Sequence, residues 1–133
     1  MIFIDTNVLV AYAVADDANH TRAVHVFERI IKGEFGRAFT SDYIFDETAT
    51  VILARSTISK AIQAGELIRK FTEILLVNKD AFDAAWKLFK EQKSSRLSFT
   101  GCTAIVLMEQ EGIQNIATFD REFEVVKSIN VVR

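Results

Sequence analysis

Short apolar runs alternate along the chain with longer stretches in which apolar residues recur every three or four positions. The first run, Met1 to Asp5, is rich in β-branched and aromatic residues and is ended by polar ones, which is typical of a strand buried on both faces. Similar runs predict four further strands, at 37–40, 74–77, 115–119 and 129–132. Helical spacing predicts helices at 8–14, 23–31, 42–55, 58–68, 81–89 and 102–111.

Strands that alternate with helices predict a parallel sheet covered on both faces, because a parallel connection needs a crossover helix. We therefore expect an α/β fold, a three-layer α/β/α sandwich with a mostly parallel central sheet. No linker, repeat or low-complexity tract interrupts residues 1–133, which predicts a single domain. The last connection, 121–128, is short and leaves the final strand either antiparallel or at an edge of the sheet.

Composition narrows the class of protein further. Hydrophobic residues make up 50% of the 133 positions, which excludes a disordered chain. The single cysteine, Cys102, excludes a cystine framework and favours the reducing cytoplasm. No apolar run reaches the roughly 20 residues of a membrane span, which predicts a protein without membrane contact. With 16 basic and 18 acidic residues the net charge is −2, so a polyanionic substrate must meet a local basic surface.

Two acidic residues follow predicted strands. Asp5 ends the first strand, and Asp120 comes just after the strand at 115–119. Ligands of open parallel sheets bind beyond the carboxyl ends of the strands, so both carboxylates are expected at one rim if the two strands are neighbours. The alternative is that each aspartate only caps the helix that follows it.

A third carboxylate is placed by helical geometry. In the helix at 42–55, Glu47 lies three residues after Ile44 and four before Val51, which predicts a position on the apolar face. A carboxylate there is costly to bury unless it is paired, protonated or bound to a cation. Either Glu47 joins the two aspartates, or it lies at the border of the apolar face and bonds an arginine or a backbone group.

The type of these side chains indicates the chemistry they support. Three carboxylates without histidine or cysteine partners favour a hard cation, Mg²⁺ or Mn²⁺, over zinc. Such cations serve phosphodiester cleavage, because they bind phosphate oxygens, generate hydroxide and offset charge on the leaving oxygen. Asn7 and Thr118 are candidates to orient the carboxylates or a metal-bound water, and the alternative is that both are ordinary turn residues.

Four basic residues lie within ten positions of one another. Lys87, Lys90 and Lys93 follow helical spacing and Arg96 comes shortly after them, so these residues form a candidate track for the phosphates of a nucleic acid. The alternative is a solvated helix face. Most of the 11 phenylalanines are expected in the core rather than stacked on bases.

Four segments, taken in order, resemble the PIN-domain ribonucleases, and more closely the VapC-like toxins of toxin–antitoxin pairs. They are IDTNVLV at the start, Glu47 in its helix, RLSFTGCTAIVL, and IATFDREF near the end. The resemblance implies an α/β/α sandwich, Mg²⁺- or Mn²⁺-dependent cleavage of RNA, a homodimer, and inhibition by an antitoxin protein. It also implies that Asp5, Glu47 and Asp120 are catalytic metal ligands, with the Thr118 hydroxyl in support.

One position departs from the family pattern. Where an aspartate is expected in the first turn of the helix after LSFT, this chain has Gly101, so three carboxylates remain of four. Loss of an anionic ligand is expected to weaken metal binding, and a misplaced catalytic water can cost on the order of 10²-fold in rate. We therefore expect an impaired nuclease or, as the alternative, a degenerate relative that binds RNA or an antitoxin without cutting.

A covalent phosphotransferase is a further alternative. Enzymes that resemble the haloacid dehalogenases use an aspartate after the first strand as the nucleophile. They place a second aspartate two residues later, where this chain has Asn7, and this difference disfavours that class.

Overall fold

The computed structural model describes residues 1–133 as a five-stranded parallel sheet with six α-helices. The spatial order of the strands is β3-β2-β1-β4-β5. A 3₁₀ helix, Arg121–Val125, lies between the last two strands. The elements in chain order are β1 (Ile2–Ile4), α1 (Thr6–Ala13), α2 (His20–Ile31), β2 (Ala38–Ser41), α3 (Asp42–Arg55), α4 (Ile58–Phe71), β3 (Glu73–Leu75), α5 (Lys79–Glu91), α6 (Phe99–Glu111), β4 (Asn115–Ala117) and β5 (Asn130–Val132).

β1 forms the centre of the sheet, as its uniformly apolar sequence predicts. Its three residues have no exposed surface, and Ile2 pairs with Ala38 of β2 on one side and with Asn115 of β4 on the other. The chain adds β2 and β3 to one side of β1, and β4 and β5 to the other. The order of the strands therefore reverses between β1 and β4, which is where ligands of open parallel sheets bind.

Local side-chain chemistry fixes the ends of several helices. The side chains of Ser41, Asn78 and Ser98 each accept a hydrogen bond from the backbone N–H three residues later, which caps α3, α5 and α6. α6 is buried along most of its length and ends at Gly112, whose φ of 67° is the left-handed conformation that glycine adopts without steric cost. No helix combines the length and the apolar character needed to cross a bilayer.

The alternation of strands and helices, and the α/β/α class it predicted, are confirmed. The final strand, β5, lies at an edge of the sheet and runs parallel to β4, with Asn115 paired to Asn130. The antiparallel alternative is therefore wrong. The segment between β4 and β5, with its 3₁₀ helix, reaches the dozen residues that a parallel crossover needs.

α5 differs from the expectation that its aromatic residues lie in the core. Ala81 and Ala85 are the residues that α5 buries, and it packs against α6. Phe82, Trp86 and Phe89 are 41%, 48% and 37% exposed. The small alanine side chains bring α5 close to α6, and the large rings beside them lie at the border of the contact.

Candidate active site

Asp5 lies at the carboxyl end of β1 and is buried where the strand order reverses. Its Oδ1 accepts a hydrogen bond from the backbone N–H of Thr6 at 2.8 Å, so Asp5 does cap α1. Its Oδ2 accepts hydrogen bonds from the Thr118 hydroxyl and from Asn7 Nδ2, both at 2.7 Å. Asp5 is therefore more than a helix cap, since Thr118 follows β4 and joins the two strand ends through this carboxylate.

Burial makes Asp5 a weaker acid than a solvent-exposed aspartate. It raises the pKa of Asp5 from 3.8 to about 6, although the hydrogen bonds from Thr118 and Thr6 act in the opposite direction. The nearby negative charges of Glu47 and Asp120 raise this pKa further. The three acids predicted from the sequence therefore share one electrostatic environment, in which a proton or a cation at Asp5 is favoured.

Thr118 and Asn7 connect the ends of β1 and β4. The Thr118 hydroxyl is buried; it donates to Asp5 and accepts from Asn7 Nδ2 at 3.1 Å and from the backbone N–H of Asp120 at 3.0 Å. Asn7 Oδ1 accepts from the backbone N–H of Phe119 at 2.9 Å. Each of these polar atoms has a partner across the two strands, so Asn7 and Thr118 act as cross-links rather than as ordinary turn residues.

Glu47 reaches the same rim from α3, but it is exposed, and its predicted burial is wrong. α3 buries Ile44, Thr48 and Ile52 instead, a set that turns Glu47 away from the core. Glu47 Oε2 accepts a hydrogen bond from the Thr6 hydroxyl at 2.8 Å and forms no ion pair with an arginine. The sequence analysis did not single out Thr6, although its place directly after Asp5 was a usable signal.

Asp120 is half-buried and follows β4. Its Oδ1 accepts from the backbone N–H of Glu122 at 2.9 Å and so caps the 3₁₀ helix. Glu122 Oε2 in turn accepts from the backbone N–H of Arg96 at 2.6 Å. Glu122, which the sequence analysis did not promote, therefore ties the loop before α6 to the rim.

The rim carries negative charge that no basic side chain neutralises. None of Asp5, Glu47 and Asp120 forms a salt bridge. The acids are close enough to raise the pKa of Asp5, yet no three acidic, histidine or cysteine side chains surround a common point. An oxygen-only donor set fits a hard divalent cation by its chemistry, and the exposed Glu47 side chain has the freedom to turn toward one.

Gly101 occupies the third position of α6, where Ser98 Oγ accepts from its backbone N–H at 3.0 Å. Its backbone has no conformation that requires glycine, because its φ is not positive. A Cβ built at this position lies 3.4 Å from atoms of Leu97, Ser98 and Phe123, which is ordinary van der Waals contact. The fold therefore accommodates a Cβ at the position where the family pattern has an acid.

The three lysines predicted to share one helix face do not all lie on a helix. α5 ends before Lys93, so only Lys87 and Lys90 lie on the helix, while Lys93 and Arg96 belong to the loop that leads to α6. All four are exposed. Among the four, Arg96 is linked to the segment that carries Asp120, because its backbone N–H donates to Glu122 Oε2.

The geometry and the family relationship agree. The family model described as the PIN domain matches residues 2–129, nearly the whole chain. The chain belongs to the PIN domain family. A PIN relative described as a 23S rRNA-specific endonuclease, VapC20 of Mycobacterium tuberculosis, is 30% identical over 133 residues and is matched over 98% of both chains.

Solved structures support the same fold. The crystal structure of Mycobacterium tuberculosis VapC20, described as a sarcin–ricin loop cleaving toxin, superimposes with a TM-score of 0.84 at 26% identity, covering 96% of this chain and 95% of that one. VapBC2 from Rickettsia felis, solved on a DNA fragment from its promoter, superimposes with a TM-score of 0.71 at 12% identity, covering 99% and 98%. The resemblance to PIN-domain proteins noted from the sequence is thereby confirmed.

Proposed function

We propose that this PIN-domain protein is a divalent-metal-dependent endoribonuclease and the toxin of a toxin–antitoxin pair. The observation that carries the proposal is the set of three unneutralised carboxylates at the β1–β4 rim, in a chain whose full length matches a 23S rRNA-specific endonuclease at 30% identity. The oxygen-only donor set favours Mg²⁺ or Mn²⁺.

In this proposal Asp5, Glu47 and Asp120 are the catalytic residues that hold the metal. When bound, the ion supplies Lewis-acid stabilisation of the phosphate and lowers the pKa of water. Thr118 and Asn7 fix the orientation of the Asp5 carboxylate through their 2.7 Å hydrogen bonds. The Thr6 hydroxyl keeps Glu47 pointing toward the rim through its 2.8 Å hydrogen bond. Because burial raises the pKa of Asp5 to about 6, its ionised form, which a metal needs, is favoured at neutral pH and above.

The substrate we propose is RNA, with a ribosomal RNA loop as the first candidate. Lys87, Lys90, Lys93 and Arg96 are exposed and are the basic residues we propose for binding the RNA phosphates, which the acidic rim repels when no metal is bound. Gly101 removes the fourth acid of the family pattern, and we propose that it weakens metal binding and cleavage in this chain. An antitoxin protein and a second copy of the chain are the proposed partners, in the cytoplasm, for a single PIN domain spanning 1–133.

A second candidate function rests on Gly101 alone. A PIN protein that has lost one acid retains its RNA-facing and antitoxin-facing surfaces, so a binding protein without nuclease activity is the alternative. The buried Asp5 and Thr118, with the half-buried Asn7 hydrogen-bonded to both, favour the nuclease, because a charge held in a buried network is a costly feature for a binding surface.

Cleavage of a structured ribosomal RNA fragment, with Mg²⁺ and then with EDTA, tests the proposal. Two variants on α3 form a matched pair, since Asp46 and Glu47 are neighbouring exposed acids and only Glu47 contacts the Thr6 hydroxyl at the rim. We expect cleavage that EDTA abolishes, that Glu47→Gln reduces strongly and that Asp46→Asn leaves unchanged. Cleavage that survives EDTA, or equal activity of the two variants, contradicts the metal site; binding of RNA without any cleavage favours the second candidate.

A further inference from the structure

The arginine residues of the chain fall into two groups, according to whether a carboxylate pairs with them. Five of the eight form ion pairs with aspartate or glutamate. The three that form none are Arg22, Arg96 and Arg121, and all three are exposed. Arginine is commonly exposed, so the position of an unpaired one decides whether it has a function.

The three unpaired arginines all approach the segment that follows β4. Arg121 comes directly after Asp120, and the backbone N–H of Arg96 donates to Glu122 Oε2. Arg22 reaches the same segment from α2, a distant part of the chain. Of the three, Arg22 is the one whose guanidinium is itself held by contacts with other side chains.

Two contacts orient the Arg22 guanidinium. Its central carbon lies 4.7 Å from the centroid of the Phe119 ring, a distance at which a cation and an aromatic face attract each other. Its Nη1 donates to Asn19 Oδ1 at 3.1 Å. Asn19 is the N-cap residue of α2, yet its side chain accepts no capping hydrogen bond from the helix, which is the bond that favours asparagine at this position. The Asn19 side chain therefore holds Arg22 instead of capping α2.

Phe119 places the Arg22 guanidinium beside the β1–β4 rim. Its backbone N–H donates to Asn7 Oδ1 at 2.9 Å, and it lies in the chain between Thr118 and Asp120, two residues of the rim. Arg22 forms no ion pair with the acids there, and Asn19 is its one hydrogen-bond partner. Its other N–H donors are therefore free to bind an anion from solution.

A phosphate of a nucleic acid fits this arrangement. The guanidinium is planar, and two of its N–H donors match two phosphate oxygens in a bidentate contact. A side chain that is already oriented loses less rotamer entropy when it binds. An unpaired cation beside a cluster of acids also offsets the repulsion that those acids exert on an incoming phosphate.

We propose that Arg22 binds a backbone phosphate of the RNA substrate, next to the phosphate that lies at the β1–β4 rim. This inference rests on the proposed function and adds a contact from α2, a helix that carries none of the basic residues assigned to RNA above. Phe119 and Asn19 are the residues that position Arg22. Arg22 in turn fixes where the RNA strand crosses the rim, and so which of its bonds meets the carboxylates.

Binding of a fluorescein-labelled, structured ribosomal RNA fragment tests this role. Anisotropy is measured in EDTA, so that the RNA is not cut, at several salt concentrations. We expect Arg22→Gln to weaken binding about tenfold and to reduce the slope of log affinity against log salt by about 0.7 to 0.9, because one phosphate contact is lost. In single-turnover cleavage with Mg²⁺, the half-saturating protein concentration is expected to rise while the maximal rate changes less.

Lys32→Gln is the matched control. Lys32 is an exposed cation at the C-terminal end of the same helix, about 15 Å further along its axis, and its substitution removes the same charge. We expect it to leave both RNA affinity and the salt slope unchanged.

Two further variants separate the charge of Arg22 from its orientation. Arg22→Lys keeps the charge but lacks the planar donors, and Asn19→Ala keeps the guanidinium but removes its acceptor. We expect each to weaken RNA binding about threefold with an unchanged salt slope. Circular dichroism and a melting curve check that every variant is folded.

Three results would overturn the role of Arg22. In a chain that binds RNA, equal affinities and salt slopes for Arg22→Gln and Lys32→Gln would do so, and the proposed nuclease would stand. A lower melting temperature of Arg22→Gln without weaker RNA binding would make its contact with Phe119 purely structural. A wild type that neither binds nor cleaves the RNA would overturn the proposed substrate as well.

Discussion

The fold holds the side chains on the two sides of the β1–β4 rim with different firmness. On one side Asp5 is buried and its carboxylate accepts three hydrogen bonds, from Thr6, Asn7 and Thr118. On the other side Glu47 is exposed and held only through the Thr6 hydroxyl, and α6 offers Gly101 where the family pattern has an acid. The hydrogen bonds of the fold therefore fix the buried carboxylate, whereas the exposed one is held by a single hydroxyl.

We expect the largest loss of RNA cleavage from a substitution on the buried side of the rim. Asp5→Asn removes the buried negative charge but keeps the shape of the side chain, so we expect RNA cleavage to fall by about 10³-fold, equivalent to several kcal/mol of lost metal-dependent stabilisation. Thermal stability is expected to change little, because removal of a charge that is costly to bury offsets the hydrogen bond that the amide nitrogen cannot accept. Single-turnover cleavage and a melting curve, measured on one preparation, check both parts; retained cleavage contradicts the role of Asp5.

The next largest effect is a pH dependence of the free energy of unfolding, which comes from Asp5 on the buried side of the rim. Because burial raises the pKa of Asp5 from 3.8 to about 6, the folded protein holds this proton more tightly than the unfolded chain. The stability from this group is thus complete below pH 3.8 and is lost as the pH rises through about 6, to a total of at most about 3 kcal/mol.

Denaturation with urea from pH 4 to pH 7, without metal, measures this effect. We expect the free energy of unfolding of the wild type to fall relative to that of Asp5→Asn across this interval, and Mg²⁺ to reduce the difference near pH 7. A constant difference between the two proteins from pH 4 to pH 7 contradicts the raised pKa.

Thr118→Val tests whether the hydrogen bonds, and not burial alone, prepare Asp5. The Thr118 hydroxyl lowers the pKa of Asp5, so its removal is expected to raise that pKa further and move the pH profile of cleavage upward. Loss of such a supporting contact typically costs about 10- to 100-fold in metal affinity or activity. The matched control is Thr40→Val, a buried threonine of β2 whose hydroxyl donates to the Ile4 carbonyl at 3.0 Å. A stability loss in both variants with no shift of the pH profile in Thr118→Val contradicts the account.

We expect the smallest change in cleavage from a substitution on the exposed side of the rim. Gly101→Asp restores the family acid at a position where a Cβ fits at 3.4 Å, and we expect about a tenfold gain in Mg²⁺-dependent cleavage with tighter metal binding. Gly101→Ala separates the carboxylate from the change of backbone, since it stabilises the helix by about 0.5–1 kcal/mol without adding a ligand. Equal cleavage by the two variants means that position 101 does not face the metal.

Sequence patterns located the strand-end acids for a physical reason. Asp5 and Asp120 each follow an apolar run, and parallel neighbouring strands bring the residues after them to one edge. Glu47 was placed at the same edge by an incorrect argument. Its three- and four-residue spacing from Ile44 and Val51 suggested burial. In the structure Thr48 lies on the buried face of α3, and the preceding residue, Glu47, lies just outside that face. Helical spacing alone does not fix such a boundary, because it depends on the neighbouring helices.

The outer surfaces were less predictable for the same reason. The apolar character of Phe82, Trp86 and Phe89 predicted a place in the core, but their side chains are 41%, 48% and 37% exposed, because Ala81 and Ala85 make the contact with α6 instead. The end of α5 before Lys93 is fixed by the approach to Leu97 and α6, where Gln92 Oε1 accepts from the backbone N–H of Leu97 at 2.8 Å. Tertiary contacts of this kind leave no periodic signal.

Calorimetric titration of Mn²⁺ into the wild type, Asp5→Asn, Glu47→Gln and Asp46→Asn is the most direct test of a shared carboxylate site. The account predicts one saturable binding event in the wild type and in Asp46→Asn, with binding lost or weakened at least tenfold in Asp5→Asn and Glu47→Gln. Equal binding by all four proteins would contradict it, since the ion would then lie elsewhere and the acids at the β1–β4 rim would not hold it together.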